Sequence, residues 1–531
     1  MSRAALLGLP DFAPMPAREE GGDVAGPLPP HPEPAGLQHP PTQPAPRPGG
    51  VPSPYEGRPW LSSYPASARG PLALPEGSLT APLDAAADRY GDRLALSFRG
   101  RGVTYTELRR LVDTFAGSLA GLGIGLGDRV AVLLPNCPQM VIACLGALRL
   151  GAVVVPLDPV SRPEQIGYVL ADSGATVAVC LDKTYPALAT ARQGTALRHV
   201  VVTSLADVLP RRARLPRRTL HDRQTRSDPV SPVPTGDRAW RMTDLLRQRP
   251  PRVVAAEIDP RTDVALLQYT TATSGQPRGV LLTHRSLLAN AAQLVLWLPD
   301  LRPGSEVVLA VLPLFQSSGF TLGLTAGLLL AAELVLLPDL DMHDLLTAVD
   351  EHRPTLLPGG PALFRAIADA PGVHDHDLLC IRAGVSVGPP LPDELRERVE
   401  KLIGGRLLSG HGSVETAALT HLTPADGPRH SGSVGVPLPG TRARILDPND
   451  TTREVTGGEG GELAVTGPQL FAGYWRQPAE TRAATTADGY LVTGDLALMH
   501  PDGHFTVLRQ EADPAVPEPQ PDPGRDDILG R

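Results

Sequence analysis

Cysteine is scarce in this 531-residue chain. Its four cysteines, Cys137, Cys144, Cys180 and Cys380, form no C-x-x-C pair, and no nearby histidine completes a zinc pattern around them. All four sit in largely apolar surroundings, so buried free thiols in a reducing, cytoplasmic setting are expected. Concentrated positive charge is lacking too. Lys plus Arg total 49 against 57 Asp plus Glu, a net charge of −8, which argues against a generic nucleic-acid binder. Lysine is scarce beside arginine, a compositional habit that carries no function by itself. No uninterrupted membrane-length apolar run exists. The longest apolar region, Val307 to Leu337, is broken by Pro313, Gln316, Ser317, Ser318 and Glu333, and reads as buried strand–helix–strand. The N-terminal run Ala5–Leu9 is too short for a signal-peptide core and ends at Pro10.

The hydrophobic fraction of 42% is ordinary and allows a large core, while the length exceeds one core and implies two or more domains or subdomains. Residues 1 to 75 are crowded with Pro, Gly, Ala and Ser and are expected to be disordered. A helix is expected over Leu83–Tyr90, strands over Leu94–Phe98 and Val103–Tyr105, and a helix over Thr106–Leu122 capped by Thr104 or Thr106. Next come a strand at Arg129–Leu134, a helix at Pro138–Leu150, a strand at Val153–Pro156, a helix at Pro163–Ser173 and a strand at Thr176–Cys180. This alternation predicts an α/β fold with parallel strands. Pro210–Pro251, rich in Arg, Pro, Asp and Ser, reads as an exposed insertion. Its clusters Arg211–Arg214 and Arg217–Arg218 read as a solvated loop before a partner surface. The α/β rhythm returns at Val264. From Gly432 short strands with turns predict a β-rich lobe, and Glu511–Arg531 reads as a disordered tail.

The densest local signal is Tyr269–Val280, Y-T-T-A-T-S-G-Q-P-R-G-V. It carries the hydroxyls of Thr270, Thr271, Thr273 and Ser274, the glycines Gly275 and Gly279, and the fixed cation Arg278. An apolar run precedes it and a helix-like segment, Leu287–Leu298, follows. Strand, small polar loop, helix is one way to offer N–H groups and hydroxyls to a phosphate chain. The Walker pattern is absent. An ordinary loop that binds nothing is the plainer alternative.

Further along stand Leu312-Pro-Leu-Phe-Gln316, Pro358-Gly-Gly-Pro-Ala-Leu-Phe364, Ser409-Gly-His-Gly-Ser-Val-Glu-Thr416, Gly432-Ser-Val-Gly-Val-Pro-Leu-Pro-Gly440, Gly461-Glu-Leu, Gly473-Tyr-Trp475 and Thr493-Gly-Asp495. In this order and spacing, from residue 79 to about 508, the chain resembles the adenylate-forming superfamily. Leu266-Leu-Gln-Tyr269 and Leu282-Thr-His-Arg-Ser-Leu-Leu-Ala-Asn290, framing the loop, resemble its long-chain fatty-acyl-CoA synthetase branch.

The resemblance implies a large domain of two α/β subdomains with parallel-rich sheets over residues 76–430, with the insertion at 210–251. A smaller β-rich lobe over 431–508 and a degenerate hinge and tail over 509–531 complete it. It implies ATP and Mg2+ as cofactors, a carboxylic acid as substrate, and coenzyme A or a carrier-protein thiol as acceptor. Thr270, Thr271, Thr273, Ser274 and Gly275 match the phosphate loop, and Arg278 sits where the family usually has lysine. Glu415 matches the carboxylate that helps bind Mg2+. His411 sits at the aromatic position near adenine, with Gly412 beside it, and Asp495 matches the carboxylate that accepts from the ribose hydroxyls. Phe315 and Gln316 lie where an aromatic–His pair flanks the reacting carboxylate. Val385, Val387 and Gly388 fall in the segment lining the acyl and adenine pockets. No Asp follows Phe315, which favours plain fatty or aryl acids over amino acids.

Departures from the pattern fall on the same positions. Ala272 stands for glycine, Arg278 for lysine, Gln316 for histidine, Val414 for threonine and Val387 for glycine. The hinge motif is replaced by Arg509-Gln-Glu-Ala-Asp513, and only a Pro/Asp-rich stretch follows where the family has a mobile domain. Three readings stay open: an acyl-adenylate-forming enzyme, served by a C-terminal domain or carrier protein in trans; a catalytically impaired relative that binds nucleotide, acyl group or partner; and a sequence truncated by a frameshift.

Overall fold

The computed structural model describes residues 53–209, 238–248, 255–270, 277–427, 430–455 and 458–509. Local sequence explains its elements directly. The helix Tyr105–Gly121 starts where the Thr104 side chain accepts from the Glu107 N–H. The helix Pro163–Ser173 stops at Gly174, whose φ of +65° is left-handed. The helix Pro138–Arg149 is apolar all round, as a helix with no solvent face must be, and every residue in it is buried. Its one charge, Arg149, is 5% exposed and ion-pairs with Asp84 and, at 3.1 Å, with Asp113.

Among the described residues, two sheets organise the fold. The smaller has eight strands in the order Gly473–Tyr474, Gly279–Thr283, Val264–Tyr269, Val153–Pro156, Arg129–Leu133, Val177–Leu181, His199–Thr203 and Ala239–Arg241. From Val264–Tyr269 onward its pairs are parallel; the two pairs at its other end are antiparallel. The larger sheet has fourteen strands. One half is parallel, built on Arg406–His411, Ala383–Ser386, Leu356–Gly359, Val307–Ala310, Glu333–Leu336 and Leu94–Phe98. The short strand His421–Leu422 joins it to an antiparallel half made of Ser433–Pro437 and the strands that follow. This mixed α/β architecture holds one large core cluster that runs from Tyr55 to Val507. The Val307–Leu337 region is strand, helical turns and strand. Among the described residues no helix is long and apolar enough to cross a membrane.

Four expectations need correction. The stretch 1–75 was expected to be disordered, yet from Ser53 it is an ordered strap. Trp60 is 1% exposed and meets Phe505 edge-on at 6.3 Å, and the hydroxyls of Tyr55 and Tyr64 donate to the carbonyls of Val455 and Pro437. Three aromatic residues with buried partners outweigh a Pro-rich composition. The insertion 210–251 contains an edge strand, Ala239–Arg241, and a helical turn whose Met242 and Leu245 are buried. Its apolar residues were too few and too spaced to be visible among arginines. Cys137, Cys144 and Cys180 are buried free thiols, and burial pushes the Cys137 thiol up to about 12, but Cys380 is partly exposed. Finally, the helix expected at Leu287–Leu298 is present as His284–Trp297, but the strand Gly279–Thr283, antiparallel to Val264–Tyr269, stands between it and the loop. The arginine clusters at 211–218 and the hinge from Gln510 lie outside the described residues.

Candidate functional site

Parallel strands present their carboxyl ends on one side, and open α/β sheets bind ligands there. Four neighbouring strands of the large sheet end in motif segments. Val307–Ala310 leads to Leu312–Gln316, Leu356–Gly359 to Gly360–Phe364, Ala383–Ser386 to Val387–Pro389, and Arg406–His411 to Gly412–Thr416. The Val387 N–H donates to the Gly359 carbonyl at 2.9 Å, tying two of these ends together. Ser386 is 2% exposed, and its hydroxyl has no hydrogen-bond partner among the described residues. Phe315, Gln316 and Val387 are half-buried, and Gly388 lies at the exposed lip.

Glu415 sits in a single helical turn, Val414–Thr416, directly beyond the strand end. Gly412 is required there, because a Cβ would lie 2.2 Å from the Ala418 carbonyl oxygen. Two residues after Glu415, Ala417 holds a φ of +63°, a conformation that costs about 1–3 kcal/mol and persists only when its surroundings enforce it. They do so. Thr321 donates its hydroxyl to the Ala417 carbonyl at 3.0 Å, and Asn290 brackets Leu419, donating to its carbonyl at 2.7 Å and accepting from its N–H at 2.9 Å.

The phosphate-loop candidate arrives from the other sheet. Its base is closed by the Thr270 N–H donating to the Arg278 carbonyl at 2.9 Å and the Arg278 N–H donating to the Thr270 hydroxyl at 3.2 Å. Thr271, Ala272, Thr273, Ser274 and Gly275 lie outside the described residues. The flanks are anchored. Tyr269 donates to Asp172 at 2.5 Å, and Tyr168 donates to the Pro277 carbonyl at 3.0 Å. Burial first, then the Asp172 carboxylate, raises the Tyr269 phenol far above its ordinary value, so it stays a donor.

Tyr474 joins the two sides. It pairs with Val280 on the strand after the loop, and the Arg278 guanidinium lies 4.8 Å from its ring centroid. Its hydroxyl donates to Glu415 Oε1 at 2.9 Å. The structure thus brings Arg278 over the ring, and Glu415 to the hydroxyl, of one phenol. A second pair lies further along the same mouth. His411 is buried, with Nε2 2.9 Å from Asp495 Oδ2, and the Asp495 N–H donates to Thr493. His421, opposite His411 across the antiparallel pair, is fully buried; its imidazole is held neutral by desolvation and then by the neighbouring His411.

Several positioning residues were not singled out from the sequence. Asn136 donates to the carbonyls of Ala310 and Leu312 and accepts from the Leu314 N–H, which fixes the segment leading to Phe315. Asn290 and Gln293 do comparable work from the helix after the loop, Gln293 reaching Pro439 and Thr441. The available signal was an amide in an apolar helix, which needs buried partners. Tyr474 stood within a quoted motif without a role.

The family model for AMP-binding enzymes matches residues 83–475. A long-chain-fatty-acid–CoA ligase of Bacillus subtilis (strain 168) is 34% identical over 457 residues, spanning 86% of this chain and 80% of the relative. Among solved structures, the anthranilate CoA ligase AuaEII in complex with anthranoyl-AMP superposes with a TM-score of 0.71 at 22% identity, over 84% of this chain and 80% of that one. A long-chain-fatty-acid–CoA ligase from Archaeoglobus fulgidus gives 0.69 at 21% identity, over 83% and 85%. These two likenesses concern the fold, whereas the sequence match spans most of the chain, and on it the protein belongs to the family of AMP-binding enzymes, among the acyl-CoA ligases.

Proposed function

We propose that this chain binds ATP with Mg2+ and activates a fatty acid as its acyl-AMP, for transfer to the thiol of coenzyme A or a carrier protein. The observation that carries the reading is the bridge Arg278–Tyr474–Glu415, which sets a cation and a carboxylate around one mouth at the strand ends. In the first step a carboxylate oxygen of the acid bonds to the α-phosphorus of ATP, the α–β anhydride bond breaks and pyrophosphate leaves. In the second, a thiolate attacks the acyl carbonyl and AMP leaves.

Each residue has a share. Arg278 and the hydroxyls of Thr270, Thr271, Thr273 and Ser274, with the Gly275 backbone, hold the phosphates. Glu415 fits a hard cation: one oxygen accepts from Tyr474, and the carboxylate would hold Mg2+, which would neutralise phosphate charge. His411, beside Gly412, holds the Asp495 carboxylate in place for the ribose hydroxyls. Phe315, Gln316, Val385, Val387 and Gly388 line the way to the acid, and Ser386 offers a hydroxyl to a ligand.

The test is ATP–pyrophosphate exchange over a panel of fatty and aryl acids. Exchange above background with a fatty acid supports the reading; no exchange, with no ATP-dependent rise in melting temperature, sinks it. Tyr474→Phe is expected to lower exchange about tenfold, the effect of one charge-assisted hydrogen bond. It should also raise the Mg2+ concentration needed for half-maximal rate, which a purely structural lesion would leave alone.

A second reading, a nucleotide- or acyl-binding relative with impaired chemistry, is favoured by Gln316, which cannot carry a proton, and by Val414, which packs against the core beside Glu415. An ATP-dependent rise in melting temperature without exchange over the whole panel identifies it.

A further inference from the structure

We propose that His430, Asp502 and His504 form a binding site for one divalent transition-metal cation, Zn2+ by ligand type, which pins the antiparallel half of the large sheet. The three residues come from two places. Asp502 and His504 stand on the hairpin between the strands Leu491–Met499 and Phe505–Arg509, and His430 stands just before Ser433–Pro437. The hairpin is rigid: the Gly503 N–H donates to the His500 carbonyl at 2.9 Å and the His500 N–H to the His504 carbonyl at 2.8 Å. Gly503 holds a φ of +86°, and a Cβ there would meet the Trp60 backbone nitrogen at 2.2 Å.

The ligand atoms converge. His430 Nε2 lies 2.8 Å from Asp502 Oδ2, His504 Nδ1 lies 3.3 Å from Asp502 Oδ1, and all three ligand atoms fall within 4.8 Å of one another. Tetrahedral ligands at Zn–N and Zn–O lengths sit about 3.3 Å apart, so shifts of an ångström or so would place a cation between them. Both ring nitrogens are shielded from solvent, and each faces a carboxylate oxygen of Asp502. The imidazoles are stacked, with centroids 4.0 Å apart, an arrangement that two protonated rings would resist. His430 and His504 also wall a cavity of about 20 Å3, lined in addition by Ser433, Thr423 and Arg406, which has room for about one water as fourth ligand. Two nitrogens and one carboxylate favour Zn2+ over Mg2+ or Ca2+. His500 supports the turn instead, its Nε2 lying 2.9 Å from the Thr506 hydroxyl.

The experiment uses the full chain, free of any affinity tag and stripped with chelator, titrated with Zn2+ by calorimetry and with Co2+ by visible absorption in excess Mg2+. One Zn2+ per chain, the absorption bands of four-coordinate Co2+ and a metal-dependent rise in melting temperature are expected. His430→Gln and Asp502→Asn, at partly exposed positions that keep the metal-free melting temperature, should each weaken Zn2+ binding at least about 30-fold. Glu415→Ala should not change the stoichiometry. Absence of saturable Zn2+ binding, or undiminished binding in the His430→Gln/Asp502→Asn double variant, overturns the proposal.

Discussion

Replacing Glu415 by alanine is expected to lower ATP–pyrophosphate exchange by a factor on the order of 100 to 1,000, about 2.7–4 kcal/mol of transition-state stabilisation. The charge logic is simple. A magnesium–triphosphate complex needs oxygen ligands from the protein, and Glu415 is the carboxylate that the Tyr474 hydroxyl holds in one orientation. Loss of the side chain would remove the proposed Mg2+ ligand and the carboxylate that accepts from the Tyr474 hydroxyl. The turn itself should survive, because the Phe471 N–H bonds to the backbone carbonyl of residue 415 at 2.7 Å, which alanine retains. Glu415→Gln keeps an acceptor for Tyr474 but not the charge, so it should fall between alanine and wild type and demand more Mg2+. Exchange within twofold of wild type in the alanine variant would remove Glu415 from the chemistry.

Trp60→Ala is expected to cost about 3–5 kcal/mol of stability, the usual effect of emptying a fully buried aromatic site. Its neighbour Leu61, 45% exposed, supplies the control, and Leu61→Ala should melt close to wild type. The damage should also reach the site. Trp60 packs on Phe505, Phe505 packs on His421 at 4.7 Å, and His421 faces His411, which holds Asp495. Equal melting temperatures for the two variants would refute this account of the strap.

The sequence is most readable where a single period dominates. The strands at Leu94–Phe98 and Val153–Pro156 and the helix at Pro163–Ser173 have the bounds that their apolar patterns predict. Composition misled where it was averaged over a window. A few aromatic residues order Ser53 onward despite the prolines around them, and Met242 with Leu245 anchor a turn amid arginines. Tyr269–Val280 shows a third limit. Hydroxyls, glycines and a cation mark a loop, but nothing local distinguishes a following strand from a following helix until Val280–Leu282 finds its partner in Leu266–Gln268. The candidate site residues stand in the sequence as motifs. Their supports, Asn136, Asn290 and Tyr474, were not legible there, because a buried amide or phenol takes its meaning from partners distant in the chain.

The two-residue strand Gly473–Tyr474 has a consequence for how the molecule comes together. The chain leaves the fourteen-stranded sheet after Thr466, lends this strand to the edge of the eight-stranded one, and returns at Leu491. Tyr474 can meet Val280 and Glu415 together only once both sheets are in place, so the bridge at the mouth is expected among the last contacts to form during folding. Such long-range closure is slow, and it leaves intermediates with sheet content but no finished site. For this chain, competence to hold nucleotide would then report the final step of folding, not the acquisition of secondary structure.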